Sequence, residues 1–347
     1  MASVNPLSNA KGVKLVCELC HSPAYIQCPG CKVTYYCDAD HQRADWTSIH
    51  EKICQLLIPV RAAFPFLTSA EERAHSAEQL LQRKKHLIDL TTKEAQRLLY
   101  EGRHVDVIPA ATHALSFSID VYGLTSVELV PVYLILAEAN IGLGNLTQAE
   151  EYLSHAYWTV LKTTDCSNLI RSKLHRNLGL LYSAKGEFEE SLRHLSNDIY
   201  YASTVSGPSD ISTAGGYFHM ANVFFRQNKM DIADSLYSEV DRLCQIISSS
   251  YLKLLEYIYV TDQFILICCN VLAIDENQEA EALQILSAIY DIREQAAKKE
   301  PAKIAKVLHA LAMLHYLRVD FKVVSLPPKD LLFKLLAYRL SFQIKYS

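Results

Sequence analysis

Glycine and proline are scarce in this chain, eleven of each in 347 residues, so the tight turns that they supply are few. That disfavours β-sandwiches, barrels and Pro-rich architectures and suits long helices. A basic excess is missing too. The net charge is −4, whereas nucleic-acid binding calls for a positive footprint that displaces counterions from phosphates, so no nucleic-acid partner is expected. The longest apolar run, Phe264 to Ile274, contains Asn270 and is about half of the roughly 20 residues that a bilayer-spanning helix needs. A buried helix is expected there, and no membrane contact. The first sixteen residues carry Lys11 and Lys14 but no apolar core of signal-peptide length, so a cytoplasmic chain is expected. Phosphate loops, nucleophile elbows and dinucleotide fingerprints are absent, and no catalytic residue is assigned.

What the chain has is cysteine: ten residues, of which Cys17, Cys20, Cys28, Cys31, Cys37 and Cys54 crowd the first 54 positions. In a reducing compartment clustered thiols are metal ligands before they are disulfides. With His41 and His50 the spacing is Cys17 x2 Cys20 x7 Cys28 x2 Cys31 x5 Cys37 x3 His41 x8 His50 x3 Cys54. Eight ligands suffice for two tetrahedral zinc sites, and a pair two residues apart presents both sulfurs on one short turn. His50 and Cys54 lie four apart, on one face of an expected helix. An HExxH metalloprotease helix is excluded, since its second histidine would fall on Cys54. Spacing alone leaves open which ligands share an ion.

Two CxxC knuckles, the aromatic pair Tyr35 and Tyr36 before a fifth cysteine, and a helix ending His50 x3 Cys54 resemble the MYND-type zinc finger. The resemblance implies an interleaved arrangement, with Cys17, Cys20, Cys37 and His41 on one zinc and Cys28, Cys31, His50 and Cys54 on the other. His41 stands where most members have cysteine, and imidazole is an ordinary zinc ligand. Each shell is then three thiolates and one imidazole, closed and structural. Family members bind proline-containing peptides beside residues that match Gln42 and Trp46. Trp46 has a second reading, closure of the apolar side of the second zinc site. Pro29 occupies a groove position where a small polar residue is usual. A unit of about 40 residues buries too little apolar surface to fold unaided, and zinc, at roughly 10 to 16 kcal/mol in finger peptides, replaces the core.

Beyond the finger, Ser69 x2 Glu72 reads as a capping box that opens a long helix with a charged, solvated face over Glu71 to Lys85. Internal repeats follow. Gly102, Gly144, Gly186 and Asn228 recur at a constant step of 42 residues. Seven positions before each stand Ala95, Ala137, Gly179 and Ala221; five after come Val107, Ala149, Ser191 and Ala233; twelve after come Ala114, Ala156, Asp198 and Val240. Small residues let two antiparallel helices approach, and glycine or asparagine accepts the left-handed conformation that ends the first. These offsets resemble the tetratricopeptide (TPR) repeat, with helices lengthened by about one turn as in kinesin light chains, since the usual period is about 34. His113 and His155, one period apart, read as followers of the repeat. Cys166, Cys244, Cys268 and Cys269 read as small buried hydrophobes. A degenerate fifth hairpin is expected over Tyr251 to Ala297, and the first helix of a sixth over Lys303 to Val319. Pro327 and Pro328 then interrupt, and an apolar helix over Leu331 to Phe342 is expected to cap the last hairpin.

The expected architecture is mainly α: a flexible segment at 1–16, a double-zinc finger at 17–54, a linker and helix at 55–85, an α-solenoid of TPR-like hairpins at 86–322, and a divergent tail at 323–347. The expected function is a non-enzymatic protein-interaction adaptor. Finger, His50-to-Pro59 segment and 42-residue repeats together resemble MYND-and-TPR proteins of the axoneme, which implies axonemal or other TPR-containing partners in motile cilia or sperm flagella. A MYND-type transcriptional corepressor is the alternative, weakened by the lack of a basic nuclear-targeting run. A SET-type lysine methyltransferase requires a catalytic domain split around the finger and an asparagine–histidine motif, yet sixteen residues precede Cys17 and no such motif follows.

Overall fold

A computed structural model describes residues 5–6, 15–62, 69–261, 276–296 and 299–322. The Phe64-Pro65-Phe66 stretch, the apolar run at 264–274 with Cys268 and Cys269, and the tail at 323–347 lie outside the described residues. The chain divides into two compact units, Met1–Tyr201 and Ala202–Ser347. Among the described residues no helix is long and apolar enough to cross a membrane.

The first unit begins with a small antiparallel sheet in which β1 (Asn5–Pro6) pairs with β2 (Ile26–Gln27) and β2 with β3 (Tyr35–Tyr36). Helix α1 (Ala39–Asp45) starts at Asp38, whose carboxylate accepts the His41 amide at 2.8 Å. It runs through a π-turn at Trp46–His50 into α2 (Glu51–Arg61). Ser69 then caps α3 (Ala70–Tyr100), accepting from the Glu71 amide at 3.2 Å, so the expected cap is present but bonds one residue earlier than a capping box does. Residues 71–85 of α3 are largely exposed, as their charge implied.

Helical hairpins follow: α3 with α4 (His104–Tyr122), α5 (Val130–Gly142) with α6 (Leu146–Lys162), and α7 (Asn168–Lys185) with α8 (Phe188–Ser206). Helix α5 packs on α4, and α7 packs on both α5 and α6, the successive stacking of a solenoid. The 42-residue marks fall where the repeat requires. Gly102, Gly144, Gly186 and Asn228 have φ of +72°, +79°, +84° and +59°, the left-handed conformation that ends the first helix of each hairpin. Ala95, Ala137 and Ala221 before them, and Val107, Ala149, Ser191 and Ala233 after them, are fully buried. Asp198 is the polar exception at its repeat position, and it is satisfied by Ser172 at 2.5 Å and Arg176 at 2.8 Å from the facing helix. Ring pairs also recur one period apart: Tyr133 stacks on Tyr152, and His175 stacks on His194.

The second unit holds α9 (Ile211–Arg226), α10 (Met230–Thr261), α11 (Glu276–Gln295) and α12 (Pro301–Lys322). Its core joins Ile211, Ala221, Tyr237, Leu243, Leu286 and Val307. Helix α10 passes without a break through the region where a fifth hairpin was expected to begin at Tyr251, which corrects that boundary: its second-helix pattern has neither glycine nor proline to stop it. Arg293 of α11 clamps this unit. Its guanidinium donates to Asp241 of α10 and to the Lys303 carbonyl of α12. Cys244 is buried here, and burial pushes its thiol up to about 12, as an inert packing residue requires.

Candidate metal centre

The two knuckles share one local device. After each CxxC pair comes a non-glycine residue with positive φ, His21 at +56° and Lys32 at +59°. Each closes the turn by donating its amide to the first cysteine's carbonyl, His21 to Cys17 at 3.1 Å and Lys32 to Cys28 at 3.0 Å. Both sulfurs of a pair are thereby turned to one side. Gly30 lies inside the second knuckle, where a Cβ would stand 3.1 Å from the Cys54 sulfur. The chain leaves that space to the ligands.

Two groups of four ligands result, Cys17, Cys20, Cys37 and His41, and Cys28, Cys31, His50 and Cys54, with the ligand atoms of each group within 4.8 Å of one another. A zinc–sulfur bond of about 2.3 Å sets the edge of a tetrahedron near 3.8 Å. In the first group Cys20 and Cys37 sulfurs are 3.6 Å apart, and His41 Nδ1 is 3.5 Å from Cys17 and 3.0 Å from Cys37. In the second, Cys28 and Cys54 sulfurs are 3.9 Å apart and His50 Nε2 is 3.7 Å from Cys31. Both donor sets fit zinc. His41 offers Nδ1 and His50 Nε2, so the two imidazoles approach their ions from opposite ring nitrogens. With four protein donors each, the ions are structural.

Electrostatics agree with that reading. Burial pushes the Cys54 thiol up to about 12, and the charge of neighbouring Cys31 and Cys28 acts in the same direction. Burial acts on Cys31 as well, yet hydrogen bonds from His50 and Thr34 outweigh it and draw this thiol down to about 6. Such a cluster resists becoming fully thiolate until a dication balances it. For His50 burial disfavours the cation, but Asp45 and Cys31 outweigh it and raise the ring to about 10. The pocket is therefore arranged around positive charge, which zinc supplies when the coordinating imidazole is neutral.

Behind His50 stands Asp45, which is completely buried. Its Oδ2 accepts the Tyr36 hydroxyl at 2.6 Å and lies 3.3 Å from His50 Nδ1, an ionic contact without the alignment of a hydrogen bond. Its Oδ1 accepts from His113 Nε2 at 2.9 Å. Burial penalises the carboxylate, but His113, His50 and Tyr36 outweigh that and hold it well below the usual range. His113 thus has a role that the reading of it as a repeat follower missed. Its partner lies 68 residues away, a pairing that no local pattern announces. His155, its counterpart one period on, is exposed and stacks on Tyr133.

The finger helix is seated on the first hairpin by further contacts. Ile49, Ile53 and Leu57 enter one core with Leu87, Leu98, Val107 and Ala110. Three such side chains contribute about 5 to 9 kcal/mol together. Ser48 donates its hydroxyl to the Asp106 carbonyl at 2.5 Å and accepts the Ala110 amide at 3.1 Å. It occupies the α4 backbone ladder beside Pro109, a residue that disturbs helical hydrogen bonding. Arg61 grips both oxygens of Glu18, at 2.5 and 3.0 Å, and lies over the Phe117 ring. Lys52 pairs with Glu94 at 2.5 Å.

Of the two residues associated with peptide binding, Gln42 is buried with its Oε1 lacking a partner, and Trp46 is 43% exposed. The indole rests on the His50 ring with centroids 5.8 Å apart. It therefore packs on the second zinc ligand set while keeping an open face. Pro29 is exposed.

Residues 15–54 match the family model of the MYND finger. Among solved structures the chain is similar to BtubC (BKLC) from P. vanneervenii, at 15% identity over 76% of this chain and 92% of that chain, with a TM-score of 0.32. A likeness at that level carries no argument about shape or partners.

Proposed function

We propose that the chain is a non-enzymatic protein-interaction adaptor, in which a double-zinc finger and helical hairpins present binding surfaces. The observation that carries this is the pair of Cys3His ligand sets, each filling a tetrahedron with protein donors and leaving no coordination position for a reacting water. Exposed aromatic residues support it: Trp46 on the finger and Tyr157 and Trp158 on α6 are each more than two-fifths exposed, a residue class that is enriched in interface anchors. The finer reading, an axonemal component of motile cilia or sperm flagella with axonemal or TPR-containing partners, rests on the resemblance of finger, linker and repeats. Its test is affinity purification of the full chain from ciliated tissue. Recovery of axonemal proteins is the expected result; recovery of chromatin factors without them would replace the reading with that of a corepressor. Saturable binding of a methyl-donor cofactor would overturn the non-enzymatic assignment.

A further inference from the structure

Zinc at the second site would be held by His50 Nε2, and the other nitrogen of the same ring faces Asp45 Oδ2 at 3.3 Å. The opposite oxygen of Asp45 is taken by His113, on a helix that belongs to the first repeat hairpin and lies outside the matched finger at 15–54. Asp45, His50 and His113 are all at most 2% exposed, so the series is shielded from bulk water. None of the ligands of the first site is hydrogen-bonded to α4 among the described residues.

We propose that Asp45 and His113 are positioning residues of the second zinc site, and that through them zinc binding and the seating of the finger on α4 are one coupled equilibrium. The physical basis is orientation. A zinc-bound imidazole turns freely unless its second nitrogen is held, and the partner that holds it governs affinity by 10- to 100-fold. Here that partner, in ionic contact with the ring, is held by Tyr36 from within the finger and by His113 from α4, so the hairpin must be folded for the site to reach full affinity. By linkage the reverse holds to the same factor: zinc at this site tightens α4 against the finger helix. A finger cut at residue 54, the end of the matched segment, would bind one ion more weakly than the whole chain does.

The inference rests on the zinc assignment and is independent of the adaptor reading. Zinc release from the full chain is followed with a graded chelator for the unaltered protein, His113→Leu, His113→Gln and Glu94→Gln. In His113→Leu one of the two ions is expected to leave at a 10- to 100-fold lower chelator strength while the other leaves as before. His113→Gln retains a donor towards Asp45 and is expected to recover most of the loss. Glu94→Gln breaks the Lys52 pair, which ties α2 to α3 and not to α4, and is expected to leave both steps unchanged. Amide exchange over 106–114 in the unaltered chain should quicken when zinc is removed, and in His113→Leu it should respond less. The proposal is overturned if both ions of His113→Leu leave at the unaltered chelator strength. It is equally overturned if both weaken together with loss of helical circular dichroism, or if Glu94→Gln weakens one ion as much as His113→Leu does.

Discussion

Gly179 of α7 and Leu195 of α8 are in direct contact: a Cβ on Gly179 would stand 2.7 Å from Leu195 Cγ, and Leu195 is fully buried. The leucine cannot swing away, and the Ser191 carbonyl stands 3.4 Å from the same point. Gly179→Ala gains about 0.5 to 1 kcal/mol of helix propensity but meets an overpacking cost of about 1 to 3 kcal/mol. Net destabilisation is expected, read as a lower urea midpoint. At Gly186 nothing lies within 4 Å of a Cβ, but φ is +84°. Alanine there should cost about 1 to 2 kcal/mol through backbone strain alone.

Ser48→Ala removes the hydroxyl that bridges Asp106 and Ala110 within α4. A buried amide and carbonyl lose their partner, at a cost of about 1 to 3 kcal/mol. Thermal unfolding of the first unit should move down accordingly, with two zinc ions still bound at saturating metal. An unaltered midpoint would mean that the helix closes its own ladder across Pro109.

The stacked pair His175 and His194 makes the first unit sensitive to acid. Their Nδ1 atoms are 2.9 Å apart, one donating and one accepting, a contact that two imidazolium rings cannot keep. Burial lowers both, His194 to about 4, with each other's charge acting in the same direction at His194. The folded values lie below the unfolded value of about 6.5, so the unfolded chain takes up the protons first. Stability is therefore complete above about pH 6.5 and falls as the pH drops towards 4. The loss is on the order of 1 to 2 kcal/mol once solvent screening is allowed for. His194→Phe should flatten this part of the stability profile; a slope equal to that of the unaltered chain would refute the assignment.

Arg293 carries the second unit's buried charge. Burial pushes Asp241 up to about 6 even against the guanidinium beside it. Arg293→Met strands that carboxyl and frees the Lys303 carbonyl, with an expected cost of about 3 to 5 kcal/mol. Asp241→Asn, which keeps an acceptor, should cost less. Chemical denaturation followed at both variants orders the two.

Local chemistry made much of this molecule legible in its sequence. A CxxC pair must form its own turn, and a glycine or asparagine at each 42-residue mark must end its own helix, so the zinc ligands and the hairpin period could be read from neighbouring residues. Helix length in the second unit was less legible, because α10 continues past the repeat boundary without a breaking residue. The docking of the finger was not legible at all. Asp45 and His113, Ser48 and Asp106, and Arg61 and Glu18 are separated by 68, 58 and 43 residues, and their pairing depends on how α1, the π-turn and α2 pack rather than on any spacing. The π-turn at Trp46–His50 is of the same kind. It is sustained by the Glu51 amide reaching the Trp46 carbonyl, within a segment whose residues are compatible with an unbroken α-helix.

The central claim is that each finger site is a closed shell of three sulfurs and one nitrogen. Metal analysis of the purified full chain combined with zinc X-ray absorption tests it most directly. Two zinc ions per chain are predicted, with an average shell of three sulfurs at about 2.3 Å and one nitrogen at about 2.0 to 2.1 Å. One ion or none in a folded finger, or a shell with an exchangeable oxygen, would contradict it.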